Sequence, residues 1–190
     1  MSTIYCTATS LDGFIADPDH SLTWLFDTLN AENDPGGRYG DTDTLDFDRF
    51  AAGVGAVVCG ASTFEWVRDH ADSDVPFVNP FGHPAWVVSH RQLDVPEGVQ
   101  VFSGNVAELH PLLVEASGDK DVWIVGGGDL AGQFADAGLL DIVWVHVTPV
   151  VLGEGAPLLP RRLRLHREHV ERDGQFTAMK FTVVGPEPRG

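Results

Sequence analysis

Three places in the sequence set glycines or hydroxyls directly after an apolar run, in an order that suits an anionic ligand. The sharpest is VWIVGGGDLAGQFADAGLLD, where the run ends at Val125, Gly126, Gly127 and Gly128 follow, and a helical pattern begins at Asp129 or Leu130. Glycines let the backbone approach a ligand closely, and the N–H groups of a first helical turn sit at the positive end of the helix dipole, which suits a pyrophosphate. Asp129 could instead cap the helix, and tight strand-to-helix turns also use glycine for steric reasons. The spacing does not match the dinucleotide fingerprint with an acidic residue about 20 positions on. The second place is VVCGASTFEWV, where Gly60 ends the run and the hydroxyl of Ser62 or Thr63 could cap a helix or touch phosphate. The third is VVSHRQ, where Ser89, His90 and Arg91 form either a phosphate-monoester loop or an ordinary polar one. Junctions of this kind would line the carboxyl edge of one sheet, where open α/β folds bind ligands.

Other residues admit two readings. Asp12 and Gly13, in TATSLDGFIADPD, make a turn before the apolar Phe14, Ile15 and Ala16, and that turn is either purely local or part of a ligand face. Trp24 and Phe26 follow in a polar context, as a buried anchor or as an aromatic wall for a flat ring. His166 and His169 have the wrong period for two ligands on one strand face and lack a carboxylate trio, so no metal is expected. Ser10, Ser62 and Ser89 have no nucleophile-elbow sequence. Cys6 and Cys59 each sit in an apolar segment with no second Cys nearby, and read as buried free thiols.

The elements that must position these residues alternate. Strands are expected at 3–9, 55–59, 85–89, 99–102, 121–125 and 142–147, and helices at 45–52, 62–70, 105–116 and 130–138. VGAVVCG, AWVVS, VWIVGG and IVWVHV are apolar without alternation, as strands covered on both faces of a mainly parallel sheet are. The fold class is therefore α/β. Residues 163–172, the Asp173-Gly174 pair and residues 175–184 read as a C-terminal antiparallel hairpin, and the chain after it as a frayed tail. One domain over 1–185 with a tail at 186–190 is the expected organisation. The stretch 17–48 holds nine acidic residues against one Arg, Arg38, and reads as a lid or as a solvated acidic insert. The stretch 69–84 is similar, with Asn79-Pro80 and His83-Pro84 forcing extended or turn backbone.

Composition narrows the function. The 190 residues are 43% hydrophobic and 21% charged, the profile of a globular chain. Twelve Lys and Arg against 28 Asp and Glu give a formal net charge of −16, which repels phosphate backbones and anionic membranes. Neither nucleic acid nor membrane is an expected partner. With no run near the roughly 18 apolar residues of a membrane span and no basic region before the first strand, a cytoplasmic protein is expected.

Taken together, TSLDGFIA, CGASTFEWV, VVSHR and VWIVGGGDLAGQFADAGLLDIVWVHVTPVVLGEGAPLL resemble the dihydrofolate reductase-like superfamily. More closely, they resemble the reductase domain at the C-terminal end of the riboflavin-pathway deaminase/reductase and its stand-alone relatives. The resemblance spans about residues 3–184. It implies a three-layer fold with a mixed, mostly parallel central sheet, NADPH as hydride donor, a small-molecule substrate and a homodimer.

Carried over by position, the resemblance puts Ala8 and Ile15 beside the nicotinamide. Gly60, Ser62 and Thr63 match the pyrophosphate junction, and Ser89, His90 and Arg91 the loop at the adenosine 2′-phosphate. Gly126, Gly127, Gly128, Asp129, Leu130 and Ala131 match the glycine turn and helix start at the diphosphate and nicotinamide ribose. Asp12 and Trp24 resemble residues beside the substrate. Asp48, on the segment where dihydrofolate reductases carry their pterin-binding acid, is chosen over Asp46, and Asp48, Asp12 or an ordered water is the implied proton source.

Two positions depart from the riboflavin enzymes. Val125 stands where they carry an acid, and no basic residues after Thr63 match those that grip the substrate ribose phosphate. The expected reaction is hydride transfer to a C=N or C=O group of a pyrimidine- or pteridine-like ring, either phosphoribosylaminouracil reductase-like or dihydrofolate reductase-like. A cofactor-binding protein of the same fold without catalysis and an acidic interaction domain are the alternatives.

Overall fold

The structure, a computed structural model, describes residues 1–29, 47–70 and 82–188, apart from the side chain of Asp48. Most of the acidic 17–48 stretch, with Asp46 and any lid it forms, lies outside the described residues, as do 71–81 and 189–190. The chain forms two compact units, Met1–Tyr5 with Gly53–Asp141, and Cys6–Ala52 with Ile142–Gly190.

In the first unit, β3 (Val54–Gly60), β4 (Ala85–Val88), β5 (Val99–Phe102) and β6 (Asp121–Gly126) run parallel, and β6 also pairs in parallel with the start of β1 (Thr3–Thr9). The unbroken apolar runs are explained by burial: Val57, Val58, Val122 and Ile124 lose all contact with solvent. Three helices belong to this unit: α3 (Ala61–Asp69), α4 (Val106–Ser117) and α5 (Gly128–Asp136). Leu109 and Leu113, one turn apart on α4, are fully buried, as are Phe64 on α3 to within 1% and Phe134 on α5. Asn105 caps α4, its side chain accepting from the Ala107 N–H at 2.8 Å.

Both α3 and α5 start earlier than the sequence suggests. Gly60 and Gly127, each in extended backbone, are the N-caps, and no side chain caps either helix. The hydroxyls of Ser62 and Thr63 and the carboxylate of Asp129 thus lie inside the first turns, not ahead of them.

The second unit holds the rest of β1, β2 (Phe14–Ala16), α1 (Thr23–Leu29), α2 (Phe47–Ala52), β7 (Ile142–Val147), β8 (Ala156–Pro157), β9 (Leu163–Asp173) and β10 (Phe176–Pro186). The sheet order is β5-β4-β3-β6-β1-β7-β10-β9, with a two-stranded β2-β8 ribbon apart from it. β10 is antiparallel to both β7 and β9. The expected α/β fold, with a mixed, mostly parallel sheet and a C-terminal antiparallel hairpin, is the observed one. Gly155, at φ +146°, lets its strand lie against the Ala16 carbonyl, where any Cβ would collide.

The hairpin loop is Gly174-Gln175, because Asp173 is still paired with Phe176. The tail is less free than its prolines suggest. Pro186 pairs with Leu163, Arg164 Nε donates to Glu187 at 2.8 Å, and Arg162 Nη2 donates to the Pro188 carbonyl at 3.0 Å. Cys6 and Cys59 are buried free thiols, and burial pushes the Cys59 thiol up to about 12 and that of Cys6 higher still. Among the described residues no helix is long and apolar enough to cross a membrane.

Candidate functional site

The first unit brings three of the predicted junctions to one edge. Register places Cys59 beside Gly126 and Gly60 beside Val88, so the carboxyl ends of β4, β3 and β6 finish level. From two of these ends a helix departs at once from a glycine N-cap, which offers the first-turn N–H groups no side-chain cap. Glycine keeps the notch open. A Cβ on Gly60 would come within 3.8 Å of the Gly126 carbonyl and the Gly127 nitrogen, and one on Gly126 within 3.2 Å of Thr63 Oγ1. The peptide joining Gly126 to Gly127 is cis. Ser62 is exposed and Thr63 half-buried in the first turn of α3. Two dipole ends and several backbone donors around a notch without side chains can hold a diphosphate.

The α5 residues divide. Asp129 and Gln133 form the exposed approach, Gln133 Nε2 donating to Asp129 at 3.0 Å, while Gly128 is buried at the helix start. Leu130 and Ala131 turn into the core, and the Ala131 N–H already donates to the Gly127 carbonyl at 3.2 Å. At the end of β4, Ser89 is buried and its hydroxyl accepts from the Arg91 N–H at 3.0 Å, shaping the loop. His90 and Arg91 point outward: His90 Nδ1 lies 2.8 Å from Ser103 Oγ, and Arg91 Nη2 donates to Glu65 at 2.9 Å. The guanidinium is thus pre-positioned by a carboxylate of α3, in an exposed pair that another anion can enter.

The second unit carries the other predicted residues. Ala8 is half-buried on β1, and Ile15 on β2. Trp24, on α1, is half-buried with its indole N–H shielded from solvent and without a partner. Asp48 lies on α2, two residues before the buried Phe50. Asp12 is a clasp: Ser10 Oγ donates to it at 2.7 Å, the Leu152 N–H at 3.1 Å and the Gly153 N–H at 2.7 Å.

These donors, Ser10 first, hold the Asp12 carboxyl down from 3.8 to about 2, so it stays ionised near neutrality, unlike a proton donor. Because the folded value is depressed, the clasp contributes stability above about pH 4, and that contribution is lost as pH falls through about 2. Asp12→Asn is expected to melt at a lower temperature than the parent at neutral pH, with the difference closing near pH 2. Thermal melts across that range check it, and a pH-independent difference would show that the carboxylate charge plays no part.

A further cluster in this unit belongs to none of the sequence motifs. Opposite residues of an antiparallel pair share a face. Trp144 faces Lys180 and His169, His146 faces Ala178 and Glu171, and Asp173 faces Phe176. His146 Nδ1 stands 3.5 Å from Asp173 Oδ2, with side chains only 11% and 6% exposed. Its ring is stacked on Trp144 at 6.1 Å and meets Phe176 edge-on at 6.4 Å, while Phe50 of α2 packs against Trp144 at 5.1 Å. Four buried atoms of this face have no partner: Trp144 Nε1, His146 Nε2, Glu171 Oε1 and Asp173 Oδ1. The sequence signal was faint, a histidine two residues after a tryptophan in an otherwise apolar strand. Among the described residues no group of three or more His, Cys, Asp or Glu side chains is arranged to hold a metal ion.

Comparison with known proteins places this geometry. YwjB of Bacillus subtilis, an uncharacterized protein, is 28% identical over 188 residues, 94% of this chain and 96% of its own. The riboflavin biosynthesis protein RibD of Corynebacterium ammoniagenes is 44% identical over 58 residues, 30% of this chain and 16% of its own. A candidate riboflavin biosynthesis protein from Shewanella sp. PV-4 superposes with a TM-score of 0.73 at 26% identity, over 96% of this chain and 99% of that one. The Thermotoga maritima diaminohydroxyphosphoribosylaminopyrimidine deaminase/5-amino-6-(5-phosphoribosylamino)uracil reductase shares the fold at a TM-score of 0.61 and 18% identity, over 96% of this chain and 56% of that one. The model of the RibD C-terminal domain matches residues 2–179, and the chain belongs to that family.

Proposed function

We propose that this chain is an NADPH-dependent reductase acting on a C=N or C=O group of a pyrimidine- or pteridine-like small molecule. The observation that carries the reading is the notch at the level ends of β3 and β6, where two uncapped helices start from glycine. That cradle fits a dinucleotide diphosphate, because a Cβ at Gly126 would press on Thr63 and backbone donors are what the notch offers. Membership of the RibD C-terminal family, and the reductase named in its Thermotoga relative, support the same chemistry.

In this reading Gly60, Ser62, Thr63 and residues 126–129 hold the diphosphate and its ribose, Leu130 and Ala131 seat the helix that does so, and Ser89, His90 and Arg91 meet the 2′-phosphate. Ala8 and Ile15 serve the nicotinamide end, and Asp12, Trp24 and Asp48 the substrate side, with Asp12 as a loop clasp. The bound cofactor supplies hydride, and the protein's task is to orient the acceptor and exclude water. We read residues 1–185 as one functional domain, acting as a cytoplasmic homodimer.

Titration with NADPH and NADH, followed by NADPH consumption with dihydrofolate, aminouracils and simple carbonyl compounds, tests the proposal. Binding of NADPH in preference to NADH, with consumption, is expected. No binding of either nucleotide would sink it, and binding without consumption would leave a cofactor-binding protein. Arg91 supplies the selectivity arm. Arg91→Ala should weaken NADPH about tenfold, the scale of one charge-assisted contact, and leave NADH unchanged. Glu65→Gln, which frees the guanidinium, should tighten NADPH a few-fold. Equal losses for both nucleotides in Arg91→Ala would remove the 2′-phosphate assignment.

A further inference from the structure

We propose that His146, oriented by Asp173, carries the proton that the reduction consumes. The inference rests on the reductase reading and adds to it a residue outside every motif that suggested that reading. Reduction of C=N needs a proton on the heteroatom, and a donor working near neutrality needs a pKa close to the ambient pH. Histidine is the side chain whose ordinary value lies there. Asp12, held ionised, does not meet the requirement.

The geometry of the pair assigns the two ring nitrogens. Asp173 Oδ2 stands 3.5 Å from Nδ1, so the carboxylate favours the proton on that nitrogen and leaves Nε2 as the atom that gains and loses one. Nε2 is buried without a partner, as are Asp173 Oδ1, Glu171 Oε1 and the Trp144 indole N–H on the same face. Buried polar groups are nearly always hydrogen-bonded, so four bare buried atoms on one sheet face mark a place where a polar ligand or an ordered water would be satisfied. Donor and acceptor atoms together suit a flat heterocycle that carries ring N–H and C=O groups.

Among the described residues the charged groups on this face are Asp173, Glu171, His169 and Glu168 of β9 and Lys180 of β10, whose ammonium lies 3.9 Å from Glu168, while α2 carries Asp48 and Arg49. His169 is held by Glu171 at 3.0 Å, and the Lys180 ammonium lies 5.9 Å from the Trp144 ring centroid. Among the described residues, Asp173 is the carboxylate directly against the imidazole. In the step, the Nε2–H bond breaks as an N–H bond forms on the substrate, whose carbon takes hydride and is reduced as the dihydronicotinamide is oxidised. The imidazole is left neutral, its remaining proton on Nδ1 toward Asp173, and water restores the proton on Nε2.

The test combines a spectroscopic and a kinetic arm. Nitrogen NMR of histidine-labelled protein without cofactor should show the neutral form of His146 protonated on Nδ1. Asp173→Asn should mix the two tautomers. In turnover with dihydrofolate or an aminouracil, kcat of the parent should fall as pH rises. His146→Gln should lose about a hundredfold in kcat, the usual scale for a general acid, and lose that pH dependence, with NADPH affinity within about twofold. Asp173→Asn should alter the pH profile of kcat together with the tautomer balance.

An unchanged kcat and pH profile in His146→Gln, or a neutral form protonated on Nε2, overturns the proposal. Should His146→Gln fail to fold by circular dichroism, the paired tautomer and kinetic changes in Asp173→Asn decide. A parent protein that binds NADPH and reduces nothing overturns the reductase reading and the proton transfer with it, while the NMR arm still tells whether the oriented pair exists.

Discussion

Gly60→Asp is expected to abolish measurable NADPH binding while the protein stays folded. Gly60 has φ −81° and ψ 165°, extended backbone open to any residue, and its Cβ position meets the Gly126 carbonyl and Gly127 nitrogen at an ordinary 3.8 Å. The backbone therefore accepts the side chain, which enters the notch as a carboxylate. Two unit charges about 4 Å apart, at an effective dielectric constant of about 20, repel by about 4 kcal/mol, roughly a thousandfold in affinity. Gly60→Ala fills less of the notch and brings no charge, so it should weaken binding by less than about tenfold. Fluorescence or calorimetric titration of both variants decides the matter. If Gly60→Asp binds NADPH like the parent, the diphosphate lies elsewhere and the proposed function loses its main support.

The second large effect concerns the helix that supplies the other half of that notch. Phe134→Ala should cost about 3–5 kcal/mol of stability, the usual range for deleting a fully buried phenyl ring. Phe134 is completely buried on α5, and its ring meets His110 of α4 edge-on at a centroid distance of 6.2 Å. His110 in turn lies 2.9 Å from Thr3 Oγ1, and desolvation lowers its pKa, as expected of an imidazole in an apolar setting. Truncation leaves a cavity beneath α5 and admits water to His110. Chemical denaturation should show a lower midpoint with an unchanged m-value, and melting should drop by about 10 °C. A midpoint within error of the parent would mean that α5 is anchored by other contacts.

The parallel strands were legible because burial on both faces leaves a mark that survives in one dimension, the uninterrupted runs VGAVVCG, VWIVGG and IVWVHV. Helix starts were less so. Hydroxyl and carboxylate residues are the usual caps, and Ser62, Thr63 and Asp129 drew the expected starts onto themselves. The backbone instead turned at Gly60 and Gly127, which have no side chain with which to cap the first-turn donors. The short α1 was missed because its TWLFDTL segment shows barely two turns of apolar spacing inside an acidic stretch. Asp12 read as a turn residue or a ligand contact. Its partners Leu152 and Gly153 are adjacent only in space, and their backbone N–H groups leave no trace in side-chain composition.

By itself the sequence determined the order and kind of most elements, the acidic balance and the three glycine or hydroxyl junctions, because these follow from local periodicity, charge and backbone freedom. The tertiary structure decided which junctions end level, which hydroxyls and carboxylates cap, clasp or stay open, and that His146 meets Asp173 across the β7-β10-β9 ladder. Those outcomes depend on strand register. A slip of one residue turns every side chain to the other face, and no single segment of the sequence contains both partners of a register.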